Sequence, residues 1–401
     1  MGSRNNFFNP VKPSVMHIDL NSCFASVEQQ ANPFLRDKPL AVVHSDAPYG
    51  CILAPSVEAK LWGVKTGMTL GEGRGLCPFL LSHVADPDKY RFVHSQFARL
   101  LSDYSSHLIP KSIDEFVLTI PEGSDPSQIS TQIKSRIKSE IGDWLRVSVG
   151  VSTNQILAKL ASGLHKPDGF DIINHSNFLD IYRSVSLTDL CGINVRNEAR
   201  LHRVGIFSVP QFYSASSQTL ISAFQSVLGR SWHTRLHGYE IDDVEFKRKS
   251  FGQSYVLPHS MQINEWRPIL AKLVSKAAFR LRAEGYSAQG VHLSIRFDDH
   301  THWHTGHKTA SLIFDDATLL TLALSLYQKS SPHKPVKKLA FTCFGISKDN
   351  GQLNYLTSSL RQKALVSSLD KLNERWGSYT VVYGSSLGSS GHVRDAISFG
   401  K

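Results

Sequence analysis

A chain of 401 residues exceeds what one ordinary hydrophobic core holds and predicts two or more domains, and an apolar share of 41% excludes an intrinsically disordered chain. The 44 lysines and arginines outnumber the 34 acids, and the net charge of +10 favours a polyanionic partner, most often nucleic acid, over a merely basic surface. Five widely spaced cysteines without a C-x-x-C pair argue against a disulfide framework and a zinc site. No apolar run approaches about 18 residues and MGSRNNFFNP lacks a signal-peptide core, so a reduced, cytoplasmic protein is expected.

Val15 to Asp19 reads as a strand that ends on a carboxylate, and Asn21-Ser22 then start a helix carried on by Phe24, Ala25, Val27 and Glu28. A strand follows at Leu40 to Val43. Ser56 to Leu61 is helical until Gly63 and Gly67 break it. An amphipathic helix covers Asp88 to Tyr104, with Phe92, Phe97, Leu100, Leu101 and Tyr104 on one side. Next come a strand near Leu108, a second strand in KSIDEFVLTI, a helix over Ile129 to Ile141 and a strand at Val147 to Val151. The helix Asn154 to Leu164 carries Ile156, Leu157, Leu160 and Leu164 on its buried stripe. This order predicts a βαββαβ, ferredoxin-like layer, interrupted by an insertion from about Ala31 to His83.

Residues 175–240 read as largely helical, with turns at Gly192, Gly205 and Gly229, and KRKS at 247–250 reads as a linker. Strands at 252–257, 291–297 and 339–346 with helices at 265–284 and 317–329 predict a second α+β domain. A serine-rich tail after Asp349 holds one helix-like run, LVSSLDKLNERWG.

In KSIDEFVLTI, Asp114 and Glu115 stand side by side at the mouth of an apolar strand. Successive strand side chains point to opposite faces, and adjacent like charges resist joint ionisation. The pair therefore lies in a solvated turn or holds a cation. In a ferredoxin-like sheet the first strand neighbours this one, which would bring Asp19 to the same edge. Three carboxylates with no nearby lysine call for hard cations with oxygen ligands, chiefly Mg²⁺. Two such ions about 3.5–4 Å apart are the usual device for in-line phosphoryl transfer. The turn Leu20 to Phe24 would offer backbone amides to phosphates. Taken singly, each acid is more simply a surface charge; it is their coincidence in this topology that points to metal.

The strings HIDLNSCFASVEQ, SVEAKLWGVKTGM, SIDEFVLTI and VSVGVSTNQILAKLASGLHKPDGF, in that order, with KSFGQSYVLP and the closing DAISFG, resemble the Y-family DNA polymerases. These are translesion enzymes that include the bacterial UmuC and DNA polymerase IV types, and the resemblance spans nearly the whole chain. It implies an α+β right-hand polymerase: a ferredoxin-like palm at 14–30 and 84–175, small fingers at 31–83, a helical thumb at 176–240 with a helix-hairpin-helix-like segment, a little finger at 247–348 and a tail at 349–401. So short a fingers segment leaves little protein to close over the nascent pair, so selection by induced fit is expected to be weak.

Residue by residue, the resemblance implies that Asp19 and Asp114 bridge two Mg²⁺ ions, Leu20 lends its carbonyl oxygen, and Glu115 holds the ion at the primer 3′-hydroxyl. Asn21, Ser22, Cys23 and Phe24 would line the nucleotide, with the Phe24 ring clashing with a ribonucleotide 2′-hydroxyl. Lys166, in HKPDG, and Lys60 would meet the triphosphate. Many members have Tyr-Glu-Ala-Arg where this chain has Val57-Glu58-Ala59-Lys60, and lysine lacks the bidentate fork of arginine. Asn21 and Ala59-Lys60 lie closer to the UmuC branch.

In LCGINVRNEARLHRVGI, Gly192 and Asn194 are candidates for a DNA phosphate. Lys247, Arg248, Lys249, Lys272, Lys276, Arg280, Arg282 and Arg296 would line a groove along the duplex backbone. The histidines at 300, 302, 304 and 307 fit a polar hairpin better than a metal site. Gln352 to Leu356 sits where relatives carry a sliding-clamp peptide, and Leu372 and Trp376 are expected to pack. Implied partners are primer-template DNA and deoxynucleotides, with a UmuD-like subunit or a recombinase filament as protein partners. The rival reading is a non-catalytic DNA-binding or scaffold protein on the same fold.

Overall fold

The computed structural model describes residues 7–242, 248–330, 334–348, 357–389 and 391–393, with backbone alone at 357–360. They form two compact units, one up to residue 242 and one from 248 onward.

The first unit opens with β1 (Val15–Leu20) and α1 (Cys23–Ala31). An inserted layer follows: β2 (Leu40–Val43), β3 (Ile52–Pro55), α2 (Val57–Leu61), α3 (Leu70–Leu76) and β4 (Leu81–Val84), its strands ordered β3-β2-β4. Ser56 caps α2 through the Ala59 amide, and Thr69 with Glu72 makes a capping box on α3. The main layer resumes with α4 (Pro87–Ser102), β5 (Leu108–Pro110), β6 (Glu115–Thr119), α5 (Pro126–Arg136), β7 (Val147–Ser152), α6 (Gln155–Leu164) and β8 (Phe170–Ile172). Its sheet order is β5-β6-β1-β7-β8. The first four strands are the expected ferredoxin-like set, and β8 is an added parallel edge.

On α4 the core face is Tyr90, Phe97, Leu100 and Leu101, whereas Phe92, expected among them, is 64% exposed. At Gly150 on β7, an added Cβ would come within 2.1 Å of the Ala158 carbonyl oxygen and the Ser162 amide. Strand and helix thus touch backbone to backbone, fixing α6 close against the sheet. Five helices complete the unit: α7 (Phe178–Ser184), α8 (Val195–His202), α9 (Val209–Ser214), α10 (Ser217–Phe224) and α11 (Leu228–Leu236). Gly192 and Gly205 take left-handed turns as expected. Gly229 does not: it lies in α11, where a Cβ would come within 2.3 Å of the Leu220–Ile221 backbone, and so permits a close helix crossing.

The second unit is β9 (Ser250–Met261), α12 (Ile263–Ala283), β10 (Tyr286–Phe297), β11 (His302–Ile313), α13 (Asp316–Tyr327), β12 (Val336–Lys348) and α14 (Thr357–Trp376). Its antiparallel sheet runs β11-β10-β12-β9, and α12 and α13 pack on one face around Trp266, Leu270, Leu293 and Phe341. The histidine run forms the expected polar hairpin strand, β11, and among the described residues no group of histidine, cysteine and acid side chains is set to hold a metal ion. Leu372 and Trp376, expected to pack, are instead 42% and 65% exposed. Among the described residues no helix is long and apolar enough to cross a membrane.

Candidate active site

Strands β1 and β6 run antiparallel in a register that sets Asp19 opposite Glu115. The Leu20 amide donates to the Asp114 carbonyl at 2.9 Å, which locks the turn carrying Asp114 to the end of β1. Phe116, Val117 and Leu118 sink into the core immediately after the acids and anchor β6. All three acids therefore reach one sheet edge, although the first and third are about a hundred residues apart in sequence. The Ser112 hydroxyl donates to Asp114 Oδ1 at 2.5 Å.

The expectation that no lysine stands near them is overturned. Lys166 Nζ lies 2.7 Å from Asp19 Oδ1, and Lys159 Nζ donates to both Glu115 oxygens at 2.7 Å. Lys159 sits on α6, the helix that Gly150 admits against the sheet, and Lys166 lies two residues beyond its end. Because Lys166 lies past the last helical residue, Leu164, helical spacing gave no signal that both lysines would reach the sheet edge. Buried His17 adds to the group: Nε2 is 3.8 Å from Glu115 Oε2, beyond hydrogen-bond reach, and Nδ1 is 3.0 Å from Ser162 Oγ.

Burial first, then the charges of Asp19 and Glu115, push the Asp114 carboxyl above its ordinary range, against the Ser112 hydrogen bond. Burial also opposes the Glu115 charge, but His17 and Lys159 outweigh it and hold that carboxyl at about 2. Two acids of one cluster are thus driven in opposite directions, a hallmark of functional sites.

A cavity of about 420 Å³ opens beside the acids, with Asp19, Phe24, Val57, Lys60, Asp114 and Lys166 in its wall. Lys60 is an exposed residue, yet partial desolvation at the cavity mouth and then the like charge of Lys166 lower its pKa. Phe24 is buried and stacks on Tyr90, ring centroids 4.3 Å apart at 12°. Tyr90 in turn donates to Glu28 at 2.8 Å.

Of the five turn amides expected to meet phosphate, two are spent, Leu20 on Asp114 and Asn21 on Arg146. The Asn21 side chain is committed as well: it bonds Ser148 at 3.0 Å and accepts from the Asp168 amide at 2.8 Å, so it braces the cavity wall that it helps to line. Cys23 is buried, its thiol pushed up by that burial and then by Asp114 and Asp19. Ser22 is left-handed at φ 49°, and its buried hydroxyl has no partner. A divalent cation suits this oxygen-only donor set, provided Lys159 and Lys166 give way; among the described residues no three acid side chains already close as a metal cage.

The candidate DNA contacts are less uniform. Asn194 spends its Oδ1 capping α8, accepting from the Arg196 and Asn197 amides, next to the Gly192 turn. Arg248 pairs with Glu284 at 2.9 Å and covers the Phe251 ring. Lys249 and Arg296 are exposed, Lys276 is half-buried, Lys272 donates to the His392 carbonyl and Arg280 to that of Gly252. Arg282 is no groove residue: it is buried between Asp316 and Asp370. Lys247 and Gln352 to Leu356 lie outside the described residues.

Two family models match the chain: the impB/mucB/samB family over residues 18–163, and that family's C-terminal domain over 248–355. A DNA polymerase IV of Pelotomaculum thermopropionicum is 30% identical over 95% of this chain and 97% of its own length. Another, of Moorella thermoacetica, is 30% identical over 94% and 97%. These relatives carry the polymerase IV name, one of the two family types that the sequence resembles. Among solved structures, a Y-family DNA polymerase chimera of Dbh superposes with a TM-score of 0.73 at 22% identity, covering 84% of this chain and 99% of that one. An insertion ternary complex of Dbh DNA polymerase gives a TM-score of 0.61 at the same identity and coverage. With likeness running along nearly its whole length, the chain belongs to the impB/mucB/samB family, the Y-family translesion DNA polymerases.

Proposed function

We propose that Asp19, Asp114 and Glu115 are the catalytic carboxylates of template-directed DNA synthesis, adding deoxynucleotides to a primer 3′-hydroxyl at low fidelity. The observation that carries this reading is the opposition of Asp19 and Glu115 across β1 and β6, with Asp114 in the adjoining turn. Asp19, Asp114, Glu115 and the Leu20 carbonyl form an oxygen set suited to two Mg²⁺ ions, which when bound supply an activated primer hydroxyl and neutralise triphosphate charge. The protein's own groups do the rest. Lys60 and Lys166 draw the triphosphate into the cavity. The unpartnered Ser22 hydroxyl and the first amides of α1, at Cys23 and Phe24, are donors for its oxygens. Lys159 and His17 keep Glu115 ionised at the edge until an ion takes the place of Lys159.

Residues 14–30 and 84–175 would then act as palm, 31–83 as fingers, 176–240 as thumb and 247–348 as little finger, with 349–401 as a tail. Hydrophobic clusters centred on the main sheet, the inserted sheet and the helices after 175 favour that division, with Leu40 and Val42 joining the first to the inserted layer and Leu157, Leu160 and Ala161 joining the last to α6. Gly192, Arg248, Lys249 and Arg296 remain candidates for the duplex backbone. The deciding experiment is extension of a labelled primer-template with Mg²⁺ and single deoxynucleotides: extension that follows the template and stops with EDTA supports the reading, and no extension sinks it.

Phe24 tests the cavity's sugar discrimination. Its ring is held flat on Tyr90 and cannot swing aside cheaply. Phe24→Ala is expected to raise ribonucleotide incorporation relative to deoxynucleotide by roughly ten- to two-hundredfold, the range for a steric pocket that loses its wall. An unchanged ratio of kcat/KM values would remove Phe24 from that role.

A further inference from the structure

The face of the second unit's sheet turned away from α12 and α13 carries a cluster that polymerase chemistry does not use. On β10, His292 and Ser294 lie directly opposite Gly306 and His304 of β11, and Arg296 opposite His302. His292 Nε2 is 3.2 Å from His304 Nδ1, and the His302 and His304 rings stack with centroids 5.2 Å apart. Ser294 Oγ is 2.8 Å from His302 Nε2. The other charged groups of this face are cationic: Arg296 on β10, Lys308 on β11 and Lys338 on β12, while β9 contributes Gly252 and Ser254. The acids of the adjoining turn are engaged elsewhere, Asp298 with Ser260 and Asp299 with Lys334. A shallow groove of about 440 Å³ is lined by Ser294, Arg296, His302, Lys338 and Ala340.

We propose that His292, His302 and His304 form a proton-loaded phosphate site, so that this sheet face grips the duplex backbone more tightly as pH falls. Its occupant follows from charge: a cationic, small-residue surface complements a polyanion. The inference rests on the DNA polymerase reading. Two imidazoles 3.2 Å apart share one proton readily and resist a second, because like charges then face each other. A phosphate beside them removes that penalty. Burial, then His304 and His302, already lower the pKa of His292, so a bound polyanion has room to raise it. By linkage, a group whose pKa rises on binding takes up a proton on binding, and affinity grows as pH drops through its titration. A rise of about one unit on one imidazole is roughly tenfold in affinity.

The test is fluorescence anisotropy of a labelled primer-template duplex with the full chain at constant ionic strength, from pH 5.5 to 8.5. Wild-type affinity should rise roughly tenfold towards low pH, and the triple variant His292→Gln, His302→Gln, His304→Gln should be nearly flat. The salt slope of the wild type should be steeper at the acid end, where more counterions are released. NMR of the wild-type imidazoles provides a check that needs no variant: adding duplex should raise the trio's titration midpoints. Binding whose pH dependence survives in the triple variant, or midpoints that do not move, overturns the proton-loaded site alone. No binding at any pH overturns the polymerase reading, and the site with it.

Discussion

Asp114→Asn should abolish primer extension, lowering single-turnover incorporation by about 10³-fold or more. Several kcal/mol of charge stabilisation at a phosphoryl-transfer centre correspond to that factor. The substitution keeps shape and removes only charge. Asp114 is already the acid whose ionisation the fold opposes, through burial and the charges of Asp19 and Glu115. Its loss should therefore relieve repulsion and leave the melting temperature unchanged or higher. A catalytic collapse without a stability loss is the signature of a group kept for chemistry. Ser112→Ala, which frees Asp114 Oδ1 of its 2.5 Å hydrogen bond, should lose only about ten- to a hundredfold. Rapid-quench assays and thermal melts on the same preparations measure both. Substantial extension by Asp114→Asn would remove the three-carboxylate assignment.

Much of this architecture is legible in the chain because the elements around the site have strong periodicity. Val15 to Leu20, Glu115 to Thr119 and Val147 to Ser152 are short, apolar and β-branched, and α6 has a continuous apolar stripe. The short edge strands of the inserted layer were not legible, whereas the edge strands β5 and β9 were. Ile52 to Pro55 and Leu81 to Val84 are four residues each, and β11 is polar at most positions, with Trp303 and Ile313 its contributions to the core. The acids could be found because each sits at a strand end; their lysine partners could not, since only the closure of α6 on Gly150 brings them in. Phe92 is expected among the core residues of α4, yet at about 100° per residue it stands roughly opposite Leu101 on the helix, so its outward placement follows from the helical period itself.

Arg282 shows the same gap between pattern and packing, and it leads to the largest expected change in stability. In sequence it extends the basic series Lys272, Lys276, Arg280. In the fold its side chain is 14% exposed, and its guanidinium donates to Asp316 Oδ2 and the Phe314 carbonyl at 2.8 Å, and to Asp370 through two bonds of 2.7 and 2.8 Å. Arg282→Leu would leave buried Asp316 and partly buried Asp370 uncompensated, and the expected cost is about 3 kcal/mol, the lower end for a broken buried pair. Lysine should rescue poorly, because one ammonium cannot span both acids with the fork geometry of guanidinium. The cost should depend on pH with a definite sign. Burial already holds the Asp316 carboxyl above its ordinary value, with Arg282 pulling it back. Without the arginine it rises further. A carboxyl whose folded pKa lies above its unfolded one binds a proton on folding, so stability increases as pH falls. The deficit of Arg282→Leu should therefore be larger at pH 8 than at pH 5, by urea denaturation of the full chain monitored in the second unit. An equal deficit at both pH values would mean that lost packing of the arginine stem, and not stranded charge, sets the cost. That outcome would return Arg282 to the ordinary class of buried side chains, leaving Asp316 and Asp370 satisfied by other donors.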